Sequence, residues 1–262
     1  MTLTMQAASI HAHCQGAASA VAIEVVAETG SSNADLLARA ALLQGPTLLV
    51  ALRQNAGRGR AGRSWLSAPG ATLMFSLAWR FDGPLQRLAG LPLAAGVALA
   101  EALIALEVPV GLKWPNDVIK DGAKLAGILV ETQNAGADGV WAVIGVGLNL
   151  LMPDALEHEI GRSVAAAPWL AQMDRDVLMA SLLNRLAAAL TEFEQSGFSA
   201  FCARWNRRHA YQGREVEIVD GGRVLQRGVA AGVDVSGRLL LDTAQGRVEV
   251  LSGDVSLRAL PA

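Results

Sequence analysis

The sequence predicts a mixed α/β body to about residue 211, followed by a small all-β unit of about 50 residues. Three observations predict it. Apolar, β-branched runs alternate with stretches of helical spacing through most of the chain. From Gln212 the texture changes to REVEIVD, RVLQRGVA, RLLLD, RVEVL and DVSLR, punctuated by DGG, VSG and TAQG. Hydrophobic residues make up 52% of the 262 residues and charged ones 18%, which allows a sizeable core and excludes global disorder.

Each element has a local reason. Residues 21–26 read as a short strand. Ser31 or Ser32 can cap a helix with Asp35 in its first turn, Leu36, Leu37, Ala40 and Leu43 on one face, and Gly45 as its end. Residues 47–52 form an apolar strand that runs into an arginine- and glycine-rich loop, and 72–80 form the next strand. An alanine- and leucine-rich helix covers about 88–106; its apolar run, broken by Pro92 and Glu101, suits a buried helix better than a membrane span. Residues 110–114 lead into a P-N-D turn. Strands 125–131 and 141–148 flank the hairpin-like NAGADG. Asp174 or Asp176 caps an amphipathic helix whose positions Met179, Leu182, Leu183, Leu186, Leu190 and Phe193 share a face, and Gly197 ends it. No internal repeat is visible.

Bulk properties exclude some functions. A formal charge of −2 gives no overall basic footprint for nucleic acid. Cys14 and Cys202 form no disulfide framework, which suits a reducing cytoplasm. The first 38 residues hold no Lys or Arg, so no secretory signal is expected, and residues 1–20 read as a flexible tail. His11, His13, His158 and His209 show no metal-ligand spacing, and no serine sits in a nucleophile elbow.

Three stretches carry candidate chemistry. QNAGRGRAGRSW, with Arg53 just before it, places Arg53, Arg58, Arg60 and Arg63 among three glycines with no acid. Such a loop can bring backbone N–H groups and guanidinium forks to an anion, although a loop of solvated arginines has the same composition. It is neither a P-loop nor a dinucleotide fingerprint, because its glycines lead to a strand. KWPNDVIKDGAKLAGILVE gathers three lysines and three acids around a turn and an apolar strand. A lysine there can hold a carboxylate or phosphate, or simply cap the strand. GVGLNL puts glycines in a strand, which permits close approach of a ligand or of packing side chains.

Taken together and in order, GRGRAGRSW, KWPNDV, KLAGILVE and GVGLN resemble the biotin–protein ligases, in the short form without an N-terminal DNA-binding domain. The resemblance runs from about Glu28 to GDVSLR. It implies an α+β fold: a catalytic body related to class II aminoacyl-tRNA synthetases, a mixed β-sheet with flanking helices, over residues 21–211, and an SH3-like β-barrel over 212–262. It implies a cytoplasmic enzyme, monomer or homodimer, with ATP and biotin as substrates and Mg²⁺ as their companion. Biotinyl-5′-AMP forms, pyrophosphate leaves, and a lysine of a biotin carboxyl carrier protein, a subunit of acetyl-CoA carboxylase, takes the biotinyl group. No nucleic acid, membrane or resident metal is implied.

The resemblance also implies roles. Biotin falls to Ser31, Ser32, Asn33, Gln54, Arg58, Gly59, Arg60 and Lys124. Ser32 stands where threonine is usual and keeps the hydroxyl; Ala61 stands where many relatives carry another arginine. Lys124, Arg58 and Arg60 are implied to be catalytic, since carboxylate attack on the α-phosphate builds negative charge that preorganised cations stabilise. The nucleotide falls to Lys113, Asn116, Asp117, Asn149, Trp169 and Arg258. A lipoate or octanoate transferase is the nearest rival, but it would leave the polar Ser/Asn cluster and Gln54 without a use. A DNA-binding repressor is disfavoured by the roughly 20 residues before the first strand. A non-catalytic biotin-binding regulator is disfavoured by the intact lysines and arginines.

Overall fold

The computed structural model describes residues 4–136, 139–161, 163–253 and 255–259. It opens with helix α1 (Ala7–Ala12) and a 3-10 turn (Gly16–Ala20). Residues 4–20 are therefore not the flexible tail expected. Ile10 and Ala18 are fully buried, and the Gln15 N–H donates to Asn184 Oδ1 at 2.8 Å. Six residues are too few to show helical periodicity, so tertiary packing alone orders them.

The body is a mixed seven-stranded sheet. Its strands are β1 (Ala22–Val26), β2 (Thr47–Ala51), β3 (Thr72–Asp82), β4 (Gly111–Lys113), β5 (Asp117–Lys120), β6 (Ala123–Asn134) and β7 (Gly139–Asn149). They lie in the order β1-β2-β3-β7-β6-β5-β4. β1 and β2 are parallel and need a crossover, which helix α2 (Ser32–Ala38) supplies; every other neighbouring pair is antiparallel. α2 stops at Ala38, short of Gly45, and a 3-10 turn (Ala40–Leu42) follows, with Ala40 buried against the sheet. β5 was not visible as a strand, because its four residues lie inside the charged stretch.

Alternation of side chains gives the sheet two unlike faces. Leu48, Val50, Phe75, Leu77, Ile128, Ile144, Val146 and Leu148 enter the main core. There they meet helix α3 (Leu91–Ala105); helix α4 (Asp154–Ile160) follows in the chain, and helix α5 (Arg175–Ser196) joins the same core before helix α6 (Ser199–Asn206). Asp174 caps α5 by accepting from the N–H groups of Asp176 and Val177 at 2.8 and 3.1 Å. The helical stretch Leu85–Ala105, mean hydropathy 1.9, is long and apolar enough to cross a bilayer, but it is 67% buried within the protein. Each fully buried Leu or Val of α3 contributes roughly 1.5–3 kcal/mol, which ties the helix to the core.

The opposite face carries α2 over a small cluster of Leu36, Ala40, Leu49, Ala78, Trp141 and Val143. Beyond that cluster this face holds Ser76, Gly127, Gly145 and Gly147, where a cleft opens. A second, antiparallel sheet is built from β8 (Glu215–Asp220), β9 (Arg223–Val233), β10 (Leu239–Thr243), β11 (Gly246–Val250) and β12 (Ser256–Ala259), ordered β11-β10-β9-β8-β12. Its Val216, Ile218, Leu239, Leu241 and Leu257 join the main core. Trp114 Nε1 donates to Gly237 O at 3.1 Å, which pins this sheet beside the P-N-D turn.

Candidate active site

Glycines make the floor. Gly127 of β6 pairs with Gly147 of β7, and Leu129 with Gly145; on the other side Ser76 of β3 pairs with Gly145. A Cβ on Gly145 would lie 2.3 Å from Asn33 Oδ1, and one on Gly147 would lie 2.3 Å from Trp65 Cε2. Any side chain at these positions would fill the space that Asn33 and the Trp65 indole occupy.

Over one end of that floor lies a buried polar chain. Ser31 caps α2, its Oγ accepting from Ala34 N–H at 3.5 Å. The Ser32 N–H donates to Gln54 Oε1 at 2.8 Å. Ser32 Oγ lies 2.7 Å from Ser76 Oγ, and Ser76 donates to Asn33 Oδ1 at 2.5 Å. Asn33 Nδ2 donates to Glu131 Oε2 at 2.9 Å and to Leu129 O at 3.3 Å. Glu131 pairs in turn with Arg58 Nη2 at 2.9 Å. Ser31, Ser32, Asn33 and Ser76 are all buried, so each needs these partners.

The arginine loop is a tight hairpin. Gly59 N–H donates to Arg63 O at 2.6 Å and Trp65 N–H to Gly57 O at 2.8 Å, with Ala61 and Gly62 at positive φ at the tip. A Cβ on Gly57 would meet Trp65 O at 2.7 Å, so close backbone approach requires that glycine. Arg60 Nη1 donates to Asn116 Oδ1 at 3.0 Å, and Nη2 donates to Gly253 O. The loop thus touches the P-N-D turn and the second sheet at once.

The turn is held in register by the strands around it. Asn116 Nδ2 donates to Ile128 O at 2.7 Å, and Ile128 N–H donates to Asn116 O at 3.0 Å. Lys124 Nζ lies 2.6 Å from Asp117 Oδ1 and 5.3 Å from the Trp65 ring centroid. Lys113 lies over the Tyr211 ring, whose phenol is pushed up chiefly by burial. Arg58, Arg60, Arg63, Lys113, Lys124 and Arg258 line the cleft; among the described residues Asp117 is the carboxylate in that lining, and Glu131 meets Arg58 at its edge. The cleft is therefore strongly cationic beside a neutral, hydrogen-bonding end. Among the described residues no three His, Cys, Asp or Glu side chains gather to hold a metal.

Of the residues expected from the sequence, Ser31, Ser32, Asn33, Gln54, Arg58, Gly59, Arg60, Lys113, Asn116, Asp117, Lys124 and Arg258 come together in this cleft. Asn149 and Trp169 do not line it. Asn149 is buried beneath, its Nδ2 donating to Ala165 O at 3.2 Å and Lys124 O at 3.4 Å. Trp169 is exposed on a 3-10 turn (Pro168–Gln172), with Lys120 Nζ 5.7 Å from its ring. Sequence reasoning missed Trp65, Ser76 and Glu131. Ser76 had a signal, as the hydroxyl inside the otherwise apolar TLMFSLAW; Glu131 had one as the acid that ends an apolar strand.

Comparison with known proteins points the same way. The model of the Biotin/lipoate A/B protein ligase family matches residues 23–149, and that of the Biotin protein ligase C terminal domain matches 211–258. The chain is 36% identical to the bifunctional ligase/repressor BirA of Escherichia coli, covering 90% of this chain and 74% of that one. It is 39% identical to the biotin–[acetyl-CoA-carboxylase] ligase of Mycobacterium tuberculosis, covering 89% and 88%. The solved biotin protein ligase of Aquifex aeolicus in complex with biotin and ATP superposes with a TM-score of 0.76 at 30% identity, over 91% of this chain and 99% of that one.

Proposed function

The chain belongs to the Biotin/lipoate A/B protein ligase family, as a biotin protein ligase, and from that premise we propose how its cleft divides the work. The enzyme uses ATP to activate biotin as biotinyl-5′-AMP and then transfers the biotinyl group to a carrier lysine. The observation that carries the division is one cleft with a neutral polar end and a cationic end.

Ser31, Ser32, Asn33 and Gln54 take the ureido ring, and the Trp65 face packs on its apolar body. The biotin carboxylate then lies toward Lys124. Its oxygen attacks the α-phosphate, the bond to pyrophosphate breaks, and Lys124, Arg58 and Arg60 stabilise the charge on the phosphoryl oxygens. Lys113, Asn116, Asp117 and Arg258 hold the nucleotide. Asn149 acts through the Lys124 backbone that it bonds. Trp169, outside the cleft, offers a flat exposed face to a base that extends beyond it. A single lining carboxylate among the described residues, Asp117, fits Mg²⁺ that arrives on the triphosphate rather than a resident ion; bound there, the ion would screen phosphate charge.

The carrier lysine, as a neutral amine, attacks the anhydride carbonyl, and AMP leaves as the amide forms. We take the carrier to be the biotin carboxyl carrier protein of an acetyl-CoA carboxylase, and the compartment to be the cytoplasm, in keeping with two free cysteines. We divide the chain into a class II synthetase-like catalytic domain, 21–211, and an SH3-like domain, 212–262. The five antiparallel strands of the second sheet support that division.

The test mixes the purified protein with ATP, Mg²⁺ and either biotin or lipoate, adds an apo carrier domain, and weighs the carrier by mass spectrometry. Gain of one biotinyl group, with biotin only, is the expected result. A lipoyl gain would overturn the pocket assignment. Biotin bound without pyrophosphate release would make the protein a regulator.

A further inference from the structure

The hydrogens of the buried polar chain follow from chemistry. Asn33 Nδ2 faces Glu131 Oε2 and Leu129 O, both of which only accept. The amide nitrogen must therefore stand on that side, and Asn33 Oδ1 is turned to Ser76 Oγ at 2.5 Å. An amide oxygen cannot donate, so the Ser76 hydrogen goes to Asn33. Ser76 Oγ then meets Ser32 Oγ, at 2.7 Å, with lone pairs only, so Ser32 gives its hydrogen to Ser76 rather than to Gln54 Oε1, which is 3.4 Å away. Gln54 Oε1 is already taken by the Ser32 N–H at 2.8 Å, which leaves the Gln54 Nε2 hydrogens for a ligand.

We propose that Glu131 is a positioning residue whose carboxylate, together with Leu129 O, sets the direction of the hydrogen bonds from Asn33 through Ser76 to Ser32. With that direction fixed, Ser32 offers an acceptor beside the donors of Gln54, whose amide the Ser32 N–H holds, and this matches a ring carrying both a carbonyl and N–H groups. The proposal rests on the reading of the cleft as a biotin site, and adds the group that selects the ring. Its strength lies in Asn33 rather than in Arg58. The Glu131–Arg58 pair is 29% and 42% exposed in its side chains, and such pairs contribute little. Ser76, by contrast, is 1% exposed, and its hydrogen goes to Asn33 Oδ1 at 2.5 Å, the nearer of its two side-chain partners.

The test is a cycle of Glu131→Leu and Ser76→Ala in the full chain, with biotin affinity measured by calorimetry and ATP dependence by pyrophosphate release. Loss of a hydrogen bond to a charged group predicts that Glu131→Leu weakens biotin by about 10- to 100-fold, with the KM for ATP unchanged. In the Ser76→Ala background, where the relay is already cut, the same change should cost no more than about twofold. Equal loss in both backgrounds would mean that Glu131 acts locally, and the proposal would be wrong. Should Glu131→Leu fail to fold by thermal melt, Glu131→Gln carries the same expected dependence on Ser76 with a smaller loss. A parent chain that binds no biotin would instead sink the functional reading.

Discussion

Adding one methyl at Gly147 should disturb the site without touching a charge. The new Cβ would lie 2.3, 2.4 and 2.7 Å from Trp65 Cε2, Cζ2 and Nε1. Carbon contacts settle at about 3.5–4.0 Å, so the ring must retreat by more than ~1 Å. The strand cannot yield, since Gly147 is paired to Met74 on one side and Gly127 on the other. Overpacking of this kind costs about 1–3 kcal/mol. For a chain of this size that is a fall in Tm of roughly 2–12 °C. The displaced indole enters the cleft, and biotin affinity should drop by on the order of tenfold, or about 1.4 kcal/mol. Thermal melts and biotin calorimetry on Gly147→Ala measure both effects. The double variant with Trp65→Leu should regain stability relative to the sum of the single changes. Unaltered Tm and affinity in Gly147→Ala, or no relief from Trp65→Leu, would refute the idea that the indole rests on this strand.

Other perturbations test the remaining parts. Lys124→Ala removes a cation 2.6 Å from Asp117 and leaves that carboxylate near the reacting phosphate; adenylation should fall by about 10²–10³, with the fold retained, and near-normal pyrophosphate release would reject the role. His209 is buried, its Nε2 is unpartnered among the described residues, and burial, opposed weakly by Gln212, holds its pKa at about 4 against 6.5. Between those values the unfolded chain takes a proton that the folded chain refuses, so stability is full above pH 6.5 and lost as pH falls to about 4, by roughly 3 kcal/mol. His209→Phe should flatten that part of the Tm–pH curve, and a curve parallel to the parent would contradict it. The hairpin should gain amide protection at residues 55–64 when biotin and ATP are added together, since both would lie beneath it; unchanged exchange there would count against loop closure.

How much of this was legible in the sequence depended on periodicity. The strands at 47–51 and 72–82, the helix at 175–196 and the change of texture after Gln212 announced themselves, because an apolar face repeats at a fixed period. β5 and the helices at 7–12, 154–160 and 199–206 did not, because four to eight residues hold too few repeats. The cleft was legible as composition. Clustered arginines and lysines allowed an anion site, and the resemblance, not composition, gave the S-S-N triplet its ligand. Its wiring was not. Ser76 and Asn33 are 43 positions apart and Arg58 and Glu131 are 73 apart, and only the sheet brings each pair within bonding distance. The loop also misled in one respect. Its glycines suggested close approach to an anion, whereas Gly57 is required by the close approach of the Trp65 carbonyl.

The placement of the polar chain explains why so buried a set of hydroxyls and amides does not unfold the sheet beneath it. A buried, unpaired hydroxyl or amide costs about 1–3 kcal/mol, and Ser32, Asn33 and Ser76 are all nearly inaccessible. Each passes its hydrogen to the next acceptor, and the line runs outward to a carboxylate and a guanidinium at the rim, where water completes the solvation. The cost is thereby moved from the middle of the sheet to its edge. The same sheet supplies the compensation on its other face, where Phe75 and Leu77 flank Ser76 in sequence and are buried in the main core. One strand thus contributes stability with its odd-numbered residues and chemistry with Ser76 between them. A change of register by one residue would reverse both roles at once, which ties the geometry of the cleft to the core that fixes the register.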